Sequence, residues 1–220
     1  MDYKRVTLLC GHYGSGKTNI SVNMAADLAS KKSNVVIADL DIVNPYFRSV
    51  DSKGELSKMG VKTICSEYAN TNIDAPALPQ EMYAIVDDLS INAIIDVGGD
   101  ERGALALGRI ADKIREENNY DMFLVINKYR PLTPDAKSVM EIMEEIENAG
   151  HLKFTGIINC SNLGEETTPE VVLSSMDFAR KVSEESGLKI VATAVEESLI
   201  PGLSGKIENL FPLKLQDKII

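Results

Sequence analysis

The chain has 220 residues, 44% hydrophobic and 25% charged, the make-up of a folded domain that buries roughly three-quarters of its unfolded surface. A net charge of −10 argues against a general nucleic-acid binder, whose affinity rests on clustered Lys and Arg; a nucleotide, which needs only a local positive spot, stays allowed. No apolar run approaches the roughly 18 residues of a membrane span, and Val6–Cys10 is too short for the core of a secretory leader.

The first apolar run, Arg5–Cys10, predicts a buried strand and leads straight into Gly11-His12-Tyr13-Gly14-Ser15-Gly16-Lys17-Thr18. This satisfies G-x-x-x-x-G-K-[ST] completely. Its glycines let successive N–H groups turn inward on phosphates, Lys17 supplies a charge to the β- and γ-phosphates, and the Thr18 hydroxyl is placed for Mg²⁺. A helix follows, with Ile20, Met24 and Leu28 on one face, and its N-terminus adds a positive dipole end. A strand before the loop and a helix after it are the context the mechanism requires.

The next predicted strand, Asn34–Leu40, ends in Asp39-Leu40-Asp41, and alternation puts the two acids on one side of it. Asp41, at the strand mouth, is the candidate to orient or activate water. Asp39 is read either as a second site acid or as an acceptor for loop amides. Weaker helical pieces fit around Val50–Met59 and Pro79–Leu89, with a strand at Val61–Cys65 and a proline-bearing loop, Thr71–Pro79, between. Asp74 in that loop has no assigned role.

The strand Ile91–Val97 carries Asp96 after two isoleucines, a position suited to Mg²⁺ reached through water. Gly98-Gly99 can approach a γ-phosphate with backbone N–H groups, and the role of Asp100 is left open. Leu107, Ile110 and Ile114 then mark a helix. After the strand Asp121–Asn127, Val139, Met143 and Ile146 mark another, and after Phe154–Cys160 so do Val172, Met176 and Ala179. Leu188–Thr193 is the last predicted strand, and the tail from Gly205 reads as a packed C-terminal segment.

Such alternation predicts an α/β fold of three layers, with a mostly parallel, roughly seven-stranded sheet covered by helices on both faces. No repeat or linker divides the chain, so residues 1–220 are expected to form a single nucleotide-binding domain. The cysteines Cys10, Cys65 and Cys160 lie far apart without C-x-x-C spacing, which predicts buried thiols of a cytoplasmic protein and no cysteine-held metal or cluster.

Taken together, these motifs resemble the MinD/ParA/Mrp group of P-loop ATPases (the CobQ/CobB/MinD/ParA nucleotide-binding domain). The run Gly16–Ala29 is similar to the family's G-K-[ST]-T-x-x-x-N-L-A, with Asn19 for its second Thr; Asp39-Leu40-Asp41 looks like its D-x-D, and Asp96 falls at its Walker B aspartate. The family's signature lysine, which reaches across a dimer to the partner's phosphates, is replaced by His12, so a nucleotide-dependent homodimer is only partly implied. The resemblance implies that Gly11 through Asn19 cradle the nucleotide, with Asn159 and Pro201 bordering the base.

Asn127-Lys128-Tyr129-Arg130 begins like the guanine-reading N-K-x-D, but a cation in the last place cannot accept guanine's N–H groups, which favours ATP. The expected function is therefore a Mg²⁺-dependent ATP-binding and ATP-hydrolysing switch acting on an unidentified protein partner. Lys17 and Asp41 are its catalytic residues, and Thr18, Asp41 and Asp96 its metal site. An ATP-dependent small-molecule kinase or ligase similar to dethiobiotin synthetase, and a nucleotide-driven metallocentre-maturation factor, are the alternatives.

Overall fold

The computed structural model describes residues 1–40, 50–65, 78–99 and 101–215. In chain order the elements are β1 (Val6–Cys10), α1 (Lys17–Ala29), β2 (Val35–Leu40), α2 (Val50–Lys58), β3 (Lys62–Cys65), α3 (Gln80–Asp87), β4 (Asn92–Val97), α4 (Glu101–Glu117), β5 (Tyr120–Ile126), α5 (Ala136–Gly150), β6 (Gly156–Asn159), α6 (Pro169–Ser186), β7 (Ile190–Glu196), α7 (Ile200–Leu203) and β8 (Leu210–Leu213). The strands are near-continuous apolar runs because both faces of the sheet are covered. All eight pair in parallel, in the order β3-β2-β4-β1-β5-β6-β7-β8.

Alternation along each strand divides the core in two. Leu8, Ala38, Ile95 and Leu124 face the layer of α3, α4, α5 and α6, while Leu9, Ile37, Ile94 and Val125 face α1 and α2. On α1, Ile20, Met24 and Leu28 are completely buried. Burying three such side chains contributes on the order of 5–9 kcal/mol. That seats α1 over β1, β2 and β4 and so sets where Lys17 and Thr18 stand.

The eighth strand is the addition to the expected sheet. Its signal is hidden by Pro212, which has no N–H to donate and is tolerated because β8 is an edge strand. Phe211 and Leu213 bury their side chains beside Ala192 and Ala194 of β7. At the opposite end of the strands, Arg5 donates to the carbonyls of Ile85 (2.8 Å) and Ile91 (2.9 Å) and pairs with Glu117. One buried guanidinium thus ties β1 to α3, to the approach to β4 and to α4.

Candidate functional site

Because every strand runs the same way, the loops that follow β1, β4, β5, β6 and β7 gather along one edge of the sheet. The loop Gly11–Gly16 leaves β1 there. Gly16, with φ of 103°, stands at the N-cap of α1, and no side chain caps the first N–H groups of that helix, the arrangement that suits an anion. Neighbouring elements close tightly on this loop. A Cβ on Gly99 would lie 2.6 Å from Gly11 O and 2.7 Å from Tyr13 N, and one on Gly103 of α4 would lie 2.7 Å from Gly98 N. The segment after β4 therefore lies directly on the backbone of the loop, and α4 lies on that segment.

Lys17 is buried, with its Nζ donating to His12 O at 3.3 Å. Thr18 Oγ1 donates to Asp96 Oδ2 at 2.7 Å. Asp96 sits in register with Leu9 of β1 on one side and Asp39 of β2 on the other, and both acids are buried. A hydroxyl, two neighbouring carboxylates and a lysine thus meet where the phosphate loop turns into α1. Burial raises the Cys10 thiol pKa far above its ordinary value; the Lys17 charge pulls it back and the Asp96 charge adds to the rise. That thiol lies within the field of the same groups but has no reactive character.

The donor set fits a hard divalent cation. The available groups are oxygens, the Thr18 hydroxyl and the Asp96 carboxylate. That matches Mg²⁺, which takes one or two protein oxygens and completes its shell with phosphate and water.

A cleft opens beside the loop on the β5–β8 side. Gly16 and Asn19 form one wall, Ser161, Asn162, Gly164 and Thr167 a second, and Leu199, Leu213 and Leu215 the apolar side, with Glu196 at the end of β7. Asn159 stands next to this cleft, outside its lining. It is completely buried, its Nδ2 donating to Ser175 Oγ (3.0 Å) and its Oδ1 accepting from Ser161 N (3.2 Å) and Ser161 Oγ (2.7 Å). Its amide is used in shaping the turn that presents Ser161 and Asn162. Pro201 is exposed at the start of α7, two residues beyond Leu199, and does not line the cleft either.

The remaining expectations divide. His12 turns its Nδ1 to Tyr13 O (3.0 Å) and borders a small cavity with Leu124, Thr133 and Val139, while Tyr13 is exposed at the loop tip. Ser15 is buried within the loop. Asp41, Asp74 and Asp100 lie outside the described residues. Sequence reading missed Glu196, Leu199, Leu213 and Leu215, which reach the cleft from the far end of the chain. It also missed Arg130 as a neighbour of the phosphate loop: a Cβ on Gly14 would lie 3.3 Å from the Arg130 Cζ.

Fold and site define a P-loop nucleotide-binding protein. Residues 8–165 match the model of the CobQ/CobB/MinD/ParA nucleotide binding domain, and the chain belongs to that family. A comparison with curated proteins found no match. Among solved structures, FtsY from Mycoplasma mycoides is 19% identical with a TM-score of 0.54, covering 87% of this chain and 60% of its own. Chloroplast FtsY from Physcomitrella patens is 14% identical with a TM-score of 0.57, covering 90% and 60%. FlhF complexed with GTP and Mg²⁺ is 14% identical with a TM-score of 0.54, covering 86% and 64%. The chain thus spans about 60% of these proteins' lengths, and the likeness is one of fold. No helix among the described residues is long and apolar enough to cross a membrane.

Proposed function

We propose that the protein is a Mg²⁺-dependent ATPase that acts as a nucleotide-state switch on a protein partner. The observation that carries the reading is the 2.7 Å hydrogen bond from Thr18 Oγ1 to Asp96 Oδ2, beside buried Lys17 at the foot of α1. In this reading Lys17 and the loop N–H groups of Gly11–Thr18 bind the β- and γ-phosphates, and Thr18 with Asp96 holds the metal, which neutralises phosphate charge when bound. Asp41 follows Leu40, the last residue of β2, and is assigned the attacking water and a share of the metal site from its place in the sequence. The segments 41–48 and 98–102 would report the nucleotide state to the partner. Residues 1–220 acting as one domain, and a nucleotide-dependent homodimer, belong to the same proposal.

ATP is favoured because Arg130 stands in the sequence where a guanine-reading acid would be, and a cation there cannot accept guanine's N–H groups. GTP is the second reading. It rests on Glu196, a carboxylate lining the cleft that suits the paired N–H donors of guanine. Competition between the two nucleotides for the purified protein decides it. For hydrolysis, the test is turnover by Lys17→Ala and Asp96→Asn. Each is expected to lower kcat by at least about a hundredfold, and turnover at the wild-type rate in Lys17→Ala would rule the site out.

A further inference from the structure

The loop after β5 holds a cation against the phosphate loop. The Cζ and Nε of Arg130 are both 3.3 Å from the place a Cβ on Gly14 would occupy, and its Cδ is 3.6 Å away. The main chain that carries this side chain is itself fixed. Arg130 N donates to Asn127 O (3.2 Å), Thr133 N to Arg130 O (3.1 Å) and Tyr129 N to Asn127 Oδ1 (3.0 Å). Lys128 N donates to Ser161 Oγ (2.9 Å), and Tyr129 Oη to Val171 O (2.7 Å), so the loop is also pinned to the turn after β6 and to α6.

The Arg130 side chain is half-buried, and one nitrogen of its guanidinium, Nε, is buried without a partner among the described residues. Leaving a charged donor buried and unsatisfied costs on the order of 1–3 kcal/mol or more. Ser15 Oγ, on the phosphate loop itself, and Asn127 Nδ2, at the base of the Arg130 loop, are also buried without a hydrogen bond. Three unsatisfied polar atoms around a loop whose backbone is built for phosphate point to an anionic ligand.

Direction comes from the neighbours. The Arg130 charge acts on Cys160, whose Sγ lies 2.6 Å from the place of a Cβ on Gly16, and Gly16 borders the cleft. Thr18, by contrast, bonds Asp96 of β4, on the other side of β1 from β5. Arg130 therefore flanks the loop on the cleft side, away from the metal oxygens.

We infer that Arg130 is a nucleotide ligand supplied in cis, its planar guanidinium binding the diphosphate segment that ATP and ADP share, between the γ-phosphate and the base. The inference rests on the nucleotide-binding reading above and adds to it a second cation beside Lys17. A planar fork of donors is suited to two oxygens of one phosphate chain, which a lysine cannot match.

The experiment is calorimetric titration of ATP and ADP into wild type, Arg130→Gln and Arg130→Lys, with a thermal melt of each variant without nucleotide. Arg130→Gln is expected to weaken ATP and ADP by the same factor, about tenfold to a hundredfold. Its melting midpoint without nucleotide should stay level or rise, because an unsatisfied buried donor has been removed; a merely structural role would lower it. Arg130→Lys, the variant to rely on should the glutamine protein not fold, is expected to fall between the two, and wild-type affinity in it would overturn the bidentate contact. Unchanged ADP affinity in Arg130→Gln, or a loss confined to ATP, overturns the inference alone. Wild-type protein that binds neither nucleotide overturns the functional reading and this inference with it.

Discussion

A methyl group added at Gly99 would meet Gly11 O at 2.6 Å, Tyr13 N at 2.7 Å and His12 C at 2.9 Å. All three are backbone atoms of the phosphate loop, so no side chain can rotate out of the way. Gly99→Ala is therefore expected to displace the loop, to weaken ATP and ADP by at least about tenfold and to destabilise the fold by about 1–3 kcal/mol. Titration and urea unfolding measure the two effects, and wild-type affinity would show that the loop accommodates the methyl group. In the sequence, Gly98-Gly99 was legible as a segment able to approach a phosphate. That it braces the loop was not, because the contact joins residues nearly ninety positions apart that share no periodic pattern. The role of Arg130 was hidden for the same reason. Replacement of an acid in N-K-x-D could be read from the chain, whereas the direction the new side chain takes depends on how the β5 loop is pinned to the turn after β6.

At the scale of elements, buried parallel strands and amphipathic helices write their own signals, and the seven expected strands fall where the apolar runs do. Boundaries shift by a residue or two. The run Phe154–Cys160 yields a strand only over Gly156–Asn159, and just before it Thr155 is tied to β5 by both main chain and hydroxyl, its N donating to Met122 O (2.8 Å) and its Oγ1 accepting from Met122 N (3.1 Å). β8 escaped because a short run interrupted by proline reads as tail. The same scale carries a stability prediction remote from the site. Arg5 has only 6% of its side chain exposed and is the sole described partner of the Glu117 carboxylate as well as a donor to two carbonyls of other segments. Arg5→Met keeps the stem but strands these acceptors, and is expected to cost about 3–5 kcal/mol. Denaturant unfolding measures it. ATP affinity at a temperature where the variant is folded should be unchanged, since the residue lies at the end of the sheet opposite the phosphate loop.

Across the whole molecule, the first helix is joined to the segment that follows the last strand. Asn23 of α1 accepts from Lys214 N at 2.9 Å and donates to Lys214 O at 3.1 Å, a link between residues 191 positions apart. Its Nδ2 also donates to Asn19 O at 2.8 Å, one turn back toward the phosphate loop. Leu213 and Leu215, on either side of Lys214, line the cleft beside Gly16 and Asn19, the place a base would take if it extends from the phosphate loop toward Glu196. Asn23 therefore holds the apolar wall of that cleft against the helix that begins at Lys17. The sequence offered Asn23 as part of a family-like helix pattern, but strand order and the proximity of the tail are properties of the closed sheet and leave no local trace. Asn23→Ala removes both bonds to Lys214 together with the one to Asn19 O, and takes no side-chain bond from Gly11–Thr18. Affinity for ATP and ADP is expected to fall about threefold to tenfold, while affinity for tripolyphosphate, which has no base, should not change. Equal losses for nucleotide and tripolyphosphate would place the effect of Asn23 on the phosphate loop and remove the C-terminal strand from the base site.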